Sequence, residues 1–368
     1  MAPRDIFYSI LGLMGALISG GLWALFSHGF RSINNAGGLI VFLLLPLLFV
    51  IPHTLARRLP LTLVKFLGRL GGYVFFYVYY GLLILIPWII LRISFFFKAL
   101  APYKESALSM YAGGAAFLLF LILARGIWDG HHPIVRRVKV ETEKSVNDFT
   151  IAFVSDIHLG PHIGKNFARQ MVRRINHLKP DLVLIGGDII DGDLNTVLRE
   201  KSLEGLARFK APLGTYAVFG NHDHYGQNLR LEGTILKEEG ISILHGESEE
   251  LSNGAVLTGV MDYSYHPDDS FESFPGKFHI VLEHEPVHMK DAARKGADLF
   301  LAGHTHGGQF WPNSHFVGKH FPFYFGTKKY GNLTAIVTSG YGAWGACFRN
   351  GHKPEIVLIE VNGRMKIE

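Results

Sequence analysis

Five short clusters hold the residues best suited to chemistry. They are Ser155-Asp156-Ile157-His158, Gly187-Asp188-Ile189-Ile190-Asp191, Gly220-Asn221-His222-Asp223, Glu283-His284-Glu285-Pro286 and Gly303-His304-Thr305-His306. Asp, Asn and His supply hard oxygens and imidazoles, donors that suit divalent ions such as Mn, Fe and Zn. In a D-x-H or H-x-H leaving a strand end, alternate side chains point to the same side. The glycines beside them let backbone approach closely in tight turns. One D-x-H alone is usually a surface loop, and a lone strand histidine is usually core. Five such clusters in order, each ending an apolar run, argue for one shared site.

Those clusters need elements to bring them together. From Asp148 onward, short apolar runs alternate with amphipathic helical stretches. The runs are FTIAFVSD, DLVLIGGD, GTYAVFGN, AVLTGVMD, FHIVLEHE, DLFLAGHT, TAIVTSGY and PEIVLIEV. Helices are predicted at Asn166–Leu178, Asn195–Phe209, Leu229–Glu239 and Val287–Lys295. Runs rich in Val, Ile and Leu suit strands buried on both faces. Alternating strands and helices predict an α/β fold, with sheets covered by helices. Sites in such sheets form outside the carboxyl ends of strands, so distant clusters can converge on one rim.

The first third of the chain is different. Of the 368 residues, 48% are hydrophobic and 18% charged, which points to a part that lives in lipid. Residues 1–130 hold ten Lys/Arg and three Asp/Glu, whereas residues 131–368 hold twenty-six and twenty-eight. The net charge of +5 therefore comes from the first third, and it is no nucleic-acid footprint. Ile6–Phe30, Ser32–Ala56, Gly71–Leu91 and Ser106–Ala124 are uncharged. Each is close to the roughly 20 apolar residues that cross a bilayer as a helix. The expected organisation is a transmembrane region of about four helices at 1–130, a linker at 131–147 and an α/β domain at 148–368. Arg4, Arg57, Arg58, Lys65, Arg69, Arg125, Arg136, Arg137 and Lys139 fall on one side of that arrangement. This bias places the C-terminal part on the cytoplasmic side. The single cysteine, Cys347, rules out an intramolecular disulfide framework and a Cys-rich metal site.

The ordered set D-x-H, G-D-x-x-D, G-N-H-D, a lone His and G-H-x-H across Ile151–Gln309 resembles the calcineurin-like metallophosphoesterase family. The longer form GHTHGGQ and the apolar N-terminus resemble its bacterial membrane-anchored subgroup. Some of that subgroup hydrolyse UDP-2,3-diacylglucosamine in lipid A synthesis. The resemblance implies a four-layer α/β/β/α sandwich and two divalent metal ions of the Mn, Fe or Zn type. It implies that Asp156, His158 and His306 hold the first ion, and that Asn221, His284 and His304 hold the second. Asp188 would bridge them. His222 matches the histidine that stabilises the transition state or protonates the leaving oxygen, and Asp191 the carboxylate that orients it. Two ions clamp the phosphoryl oxygens in an in-line displacement and supply hydroxide, so no side-chain nucleophile is needed.

One departure bears on substrate. Phosphoprotein phosphatases of the family carry Arg after the second Asp of G-D-x-x-D, where this chain has Gly192. The missing bidentate clamp for a phosphomonoester dianion tilts the expectation toward diesters or pyrophosphates. The expected function is hydrolysis of such a bond in a phosphoester substrate at the bacterial inner membrane. UDP-2,3-diacylglucosamine is an example of a lipid-linked substrate, and a soluble nucleotide or other small phosphoester is the alternative. His162, His224, His245 and Asp262 are candidates to line the cleft. The aromatic run Phe321–Gly326 either meets acyl chains or packs a small subdomain. Gln309–Arg349 is the least readable stretch.

Overall fold

The computed structural model describes residues 3–226 and 228–363. Two compact units divide the chain, Met1–Ile127 and Trp128–Glu368. The first is helical: α1 (Pro3–Phe26), α2 (Ala36–Leu44), α3 (Leu47–Thr54), α4 (Leu61–Ser94) and α5 (Lys104–His131). Asn35 caps α2 by accepting the Gly38 N–H at 2.8 Å. Pro46 has no N–H to continue a ladder and separates α2 from α3. Among the described residues, four stretches are long and apolar enough to cross a membrane: Ile6–Phe26, Ala36–Thr54, Leu61–Ser94 and Ala101–His131.

The second unit holds two mixed sheets of six strands each. The first comprises β1 (Ile134–Thr142), β2 (Phe149–Val154), β3 (Leu182–Gly186), β4 (Thr215–Val218), β5 (Ser242–Ile243) and β12 (Glu355–Gly363). Their order is β1-β12-β2-β3-β4-β5. The second comprises β6 (Ser248–Glu250), β7 (Val256–Gly259), β8 (His279–Leu282), β9 (Leu299–Ala302), β10 (Gly326–Tyr330) and β11 (Leu333–Val337), in the order β10-β11-β9-β8-β7-β6. All eight apolar runs are strands. The helices are α6 (Lys165–His177), α7 (Leu194–Glu200), α8 (Asn221–Tyr225), α9 (Leu229–Glu238), α10 (Met289–Arg294) and α11 (Asn313–His320).

Strand alternation sorts the side chains into layers. Ile151 and Phe153 of β2 join Leu257, Leu282 and Leu301 in a core between the sheets. Their neighbours Ala152 and Val154 turn outward onto Ala168, Met171 and Ile175 of α6. On the other side Val281, Phe300 and Val337 meet Met289 and Ala292 of α10. Each fully buried Leu, Ile or Phe stabilises these layers by about 1.5–3 kcal/mol. The result is a four-layer α/β/β/α sandwich.

The segment expected to be a linker is largely a strand. β1 pairs in parallel with β12 from Ile134↔Glu355 to Thr142↔Gly363. Its sequence IVRRVKVET hides this, because an edge strand keeps one face in water and carries Arg and Lys there. Arg136 anchors it. Its Nε and Nη2 donate to the two carboxylate oxygens of Glu355 at 2.9 and 2.8 Å, and Glu355 is 1% exposed. Removing the guanidinium strands a buried carboxylate that keeps only Thr338 Oγ1 and the Ser339 N–H. Arg136→Ala should therefore cost about 2 kcal/mol. Thermal unfolding in detergent should show the second unit melting several degrees lower, and an unchanged midpoint would contradict the anchoring.

Candidate metal centre

The five clusters converge at the carboxyl ends of β2, β3 and β4 in one sheet and of β8 and β9 in the other. These strands run parallel within each sheet, so their ends share an edge. Backbone bonds then stitch the loops together. Asp156 N donates to Gly187 O and His158 N to Asp188 O, both at 3.0 Å. Gly303 N donates to His284 O at 3.0 Å, and His304 N to Asp156 Oδ1 at 3.0 Å. His284 Nδ1 lies 2.7 Å from Gly186 O and so links the two sheets.

The backbone at this edge is strained. Among the described residues nine non-glycine positions have positive φ, and five of them are Asp156, His158, Asp188, His304 and His306. Such conformations cost of order 1–3 kcal/mol each and persist only where the surroundings enforce them. Space is equally tight. A Cβ on Gly220 would lie 2.3 Å from Asp188 Oδ1, and one on Gly303 would lie 2.0 Å from Ser155 Oγ.

Among the described residues, three groups of side chains gather potential ligand atoms: Asp156–His158–His306, Asp188–His284–His304 and His158–Asp191–His222. His158 and His306 face each other with Nε2 atoms 3.0 Å apart. Asn221 Oδ1 lies 3.1 Å from His284 Nε2 and 3.0 Å from His304 Nδ1. Asp188 lies between, with Oδ2 3.6 Å from His158 Nε2 and Oδ1 3.4 Å from His284 Nε2. All nine candidate residues thus meet at one rim. Asp191 does more than expected, since its Oδ1 sits 3.3 Å from His158 Nδ1 as well as 3.1 Å from His222 Nδ1.

The charges follow from this crowding. Burial opposes the charged form of Asp191, yet hydrogen bonds from His158 and His222 hold its carboxyl well below the usual range. Burial also opposes the His222 imidazolium, but Asp188 and then Asp191 outweigh it and push its pKa up to about 9. His284 rises too, with Asp188 overcoming burial. His304 and His306 are held down instead, first by burial and then by their cationic neighbours, so the carboxylates favour the imidazolium only at His222 and His284.

Several contributors leave little trace in the sequence. Asp223 accepts the Gly220 and Ile190 N–H groups at 2.8 and 2.9 Å, clipping two loops together. The N-cap pattern G-N-H-D is its only signal. Arg349 is wholly buried and donates to His306 O at 2.8 Å and Gly342 O at 2.5 Å. Gln309 binds both the N–H and the carbonyl of Trp344. Phe321 stands edge-on to His304 at 5.4 Å. The rest of the aromatic run mostly packs: Tyr324 O accepts Thr305 Oγ1, and Phe325 lies 3.8 Å from the His352 ring.

Asp262 is also buried beside the centre. β7 and β8 are in parallel register from Val256↔His279 to Gly259↔Leu282, so Asp262 leaves β7 level with the His284 loop. Burial first, then the charges of Glu285 and Asp188, push it up to about 7 despite opposition from His284. A raised carboxyl pKa means that the folded state holds the proton more tightly. That contribution is complete below about pH 4 and is lost as pH rises through about 7. Asp262→Asn should remove it. In EDTA-treated protein, the drop in melting temperature from pH 5 to pH 8 should be smaller in the variant, and an equal drop would refute this.

Comparison with known proteins agrees with the geometry. The family model described as Calcineurin-like phosphoesterase matches residues 149–308. An uncharacterized metallophosphoesterase of Aquifex aeolicus is 32% identical over 268 residues, which are 67% of this chain and 99% of that protein. Proteins of Danio rerio and Bos taurus named transmembrane protein with metallophosphoesterase domain are 31% and 32% identical over 62% of this chain. This chain spans just over half of their length, 57% and 56% respectively. With the Aquifex protein matched almost end to end and the five clusters on one rim, the chain belongs to the calcineurin-like phosphoesterase family.

Proposed function

We propose that the chain is a membrane-anchored phosphohydrolase that uses two divalent ions to cleave a phosphodiester or pyrophosphate bond. The observation that carries this reading is Asp188, buried between two groups of ligand atoms and next to the His222–Asp191 pair. Asp156, His158 and His306 would hold one ion, Asn221, His284 and His304 the other, and Asp188 both. The donor chemistry fits. Asn221 Nδ2 donates to Tyr225 OH, so Oδ1 faces inward. His284 Nδ1 lies on the Gly186 carbonyl, so its Nε2 faces inward, where a bound cation would take the place of the imidazolium proton. With that proton displaced, Asn221 Oδ1 and His284 Nε2 are two acceptors 3.1 Å apart in a buried site, which a metal cation between them would satisfy.

When bound, a divalent pair supplies Lewis acidity and activated water at neutral pH. The chain's own groups do the rest. Asp188 Oδ1 accepts the His222 N–H at 2.8 Å and fixes that loop. Asp191 holds His222 Nδ1, which leaves Nε2 toward the rim with a proton for the departing oxygen. Gly192 offers no guanidinium, which supports a diester or pyrophosphate over a monoester dianion. Trp311 and Phe316 are 63% and 58% exposed just beyond the G-H-T-H-G-G-Q segment. Such apolar surface supports a lipid-linked substrate. The basic bias of the first third supports the cytoplasmic face of a bacterial inner membrane.

Two variants test the roles. Asp188→Ala should abolish hydrolysis of bis(p-nitrophenyl) phosphate and lower the bound metal from two ions toward one or none. His222→Ala should keep its metal while turnover falls by roughly 10²–10⁴-fold, as for a lost proton-transfer group. Full activity in the first, or metal loss in the second, would overturn the assignments. Orientation is tested separately. A cysteine added at the C-terminus of a Cys347→Ser chain should resist an impermeant thiol reagent in intact cells, and labelling would reverse the topology.

A further inference from the structure

We infer that Tyr225 and the stacked pair His224–Tyr265 form a subsite for an uncharged ring, a nucleoside base or a sugar, on one arm of the phosphoester. The inference rests on the hydrolase reading and deepens it. Tyr225 touches the centre directly, since its hydroxyl accepts from Asn221 Nδ2 at 3.2 Å and its ring lies 5.0 Å from that of His222. It also lies over Gly192. A side chain on Gly192, whose φ is +69°, would begin 3.0 Å from the Tyr225 Cβ. An aromatic phenol thus covers the place where phosphoprotein phosphatases have a guanidinium.

Beside it, the His224 and Tyr265 rings stack at 3.9 Å and 9°. Tyr265 rides on a loop pinned at several points. Val260 N donates to Leu282 O, Met261 N to Asp269 Oδ2, and Ser264 Oγ to Glu285. The loop therefore leaves β7 next to His284 as a fixed wall. Tyr225 is 50% exposed and Tyr265 45%, so part of each side chain remains open to a ligand. Neither Gly220–Asn228 nor Gly259–Asp269 contains Lys or Arg, so the wall offers no clamp for a further phosphate. Burial first, then the neighbouring His266 and His245, lowers His224 to about 4, which keeps its ring neutral at pH 7. Exposed, uncharged aromatic faces with phenolic tips suit ring stacking rather than anion capture.

The test uses the full chain in detergent with Mn²⁺ and three ligands that share one phosphomonoester group. Calorimetry gives Kd for uridine 5′-monophosphate, glucose 1-phosphate and butyl phosphate. At least one ring-bearing ligand should bind about tenfold more tightly than butyl phosphate, as a stacked ring does. Preference for uridine identifies a nucleoside arm, and preference for glucose a sugar arm. Tyr265→Ala should bring the ratio near one, and Tyr265→Phe should retain it. Equal Kd values in the parent chain, or an unchanged ratio in Tyr265→Ala, overturn the inference. Hydrolysis of bis(p-nitrophenyl) phosphate is followed in parallel. Its absence with the Kd ratio intact would defeat the hydrolase reading and leave the subsite standing.

Discussion

A single buried carboxylate, Asp188, organises the rim. Its Oδ1 accepts the His222 N–H, its backbone carbonyl accepts the His158 N–H, and His284 lies 3.4 Å from Oδ1. Three of the other clusters are thereby tied to one residue, and the fifth joins through His304 on Asp156 and Asn221. A charge held out of water is tolerated only when donors or cations surround it. Burial raises the Asp188 pKa, but His284 first and then His222 and His158 carry it well below the usual value. The geometry of the rim follows from that requirement.

The strain at this edge is sustained by the layers behind it. Asp188 itself sits at φ +51°, and Asp156, His158, His304 and His306 share that region. Each follows a strand that is buried almost throughout and has a parallel neighbour, and those strands supply cores on both faces. Arg349 and Trp344, from the C-terminal segment, brace the loop that carries His306 and Gln309, so residues well beyond the last cluster in sequence hold it in place.

Legibility in the amino-acid sequence depends on the signal each residue leaves. Ligand-type side chains announce themselves by type and by their position after Val/Ile/Leu runs, so all nine rim candidates are readable from residue order. β1 is not, because Arg136, Arg137 and Lys139 make an edge strand look like a polar linker. β5 and β6 are only two and three residues long, too short to show a period. Arg349 looks like a surface residue by type, and only the carbonyls of His306 and Gly342 explain its burial. Tyr225 gains meaning only when Gly192 is seen beneath it.

The centre also has two aromatic flanks. Aromatic side chains stand on both: Tyr225 lies against His222 beside the His224–Tyr265 stack, and Phe321 stands edge-on to His304. The proposed hydrolase reading presupposes that two cations share Asp188. Anomalous diffraction from crystals soaked in Mn²⁺ measures this most directly. Two peaks are expected, one among Asp156, His158 and His306 and one among Asn221, His284 and His304, with Asp188 bonded to both. A single peak, or two peaks that share no carboxylate, would contradict the account.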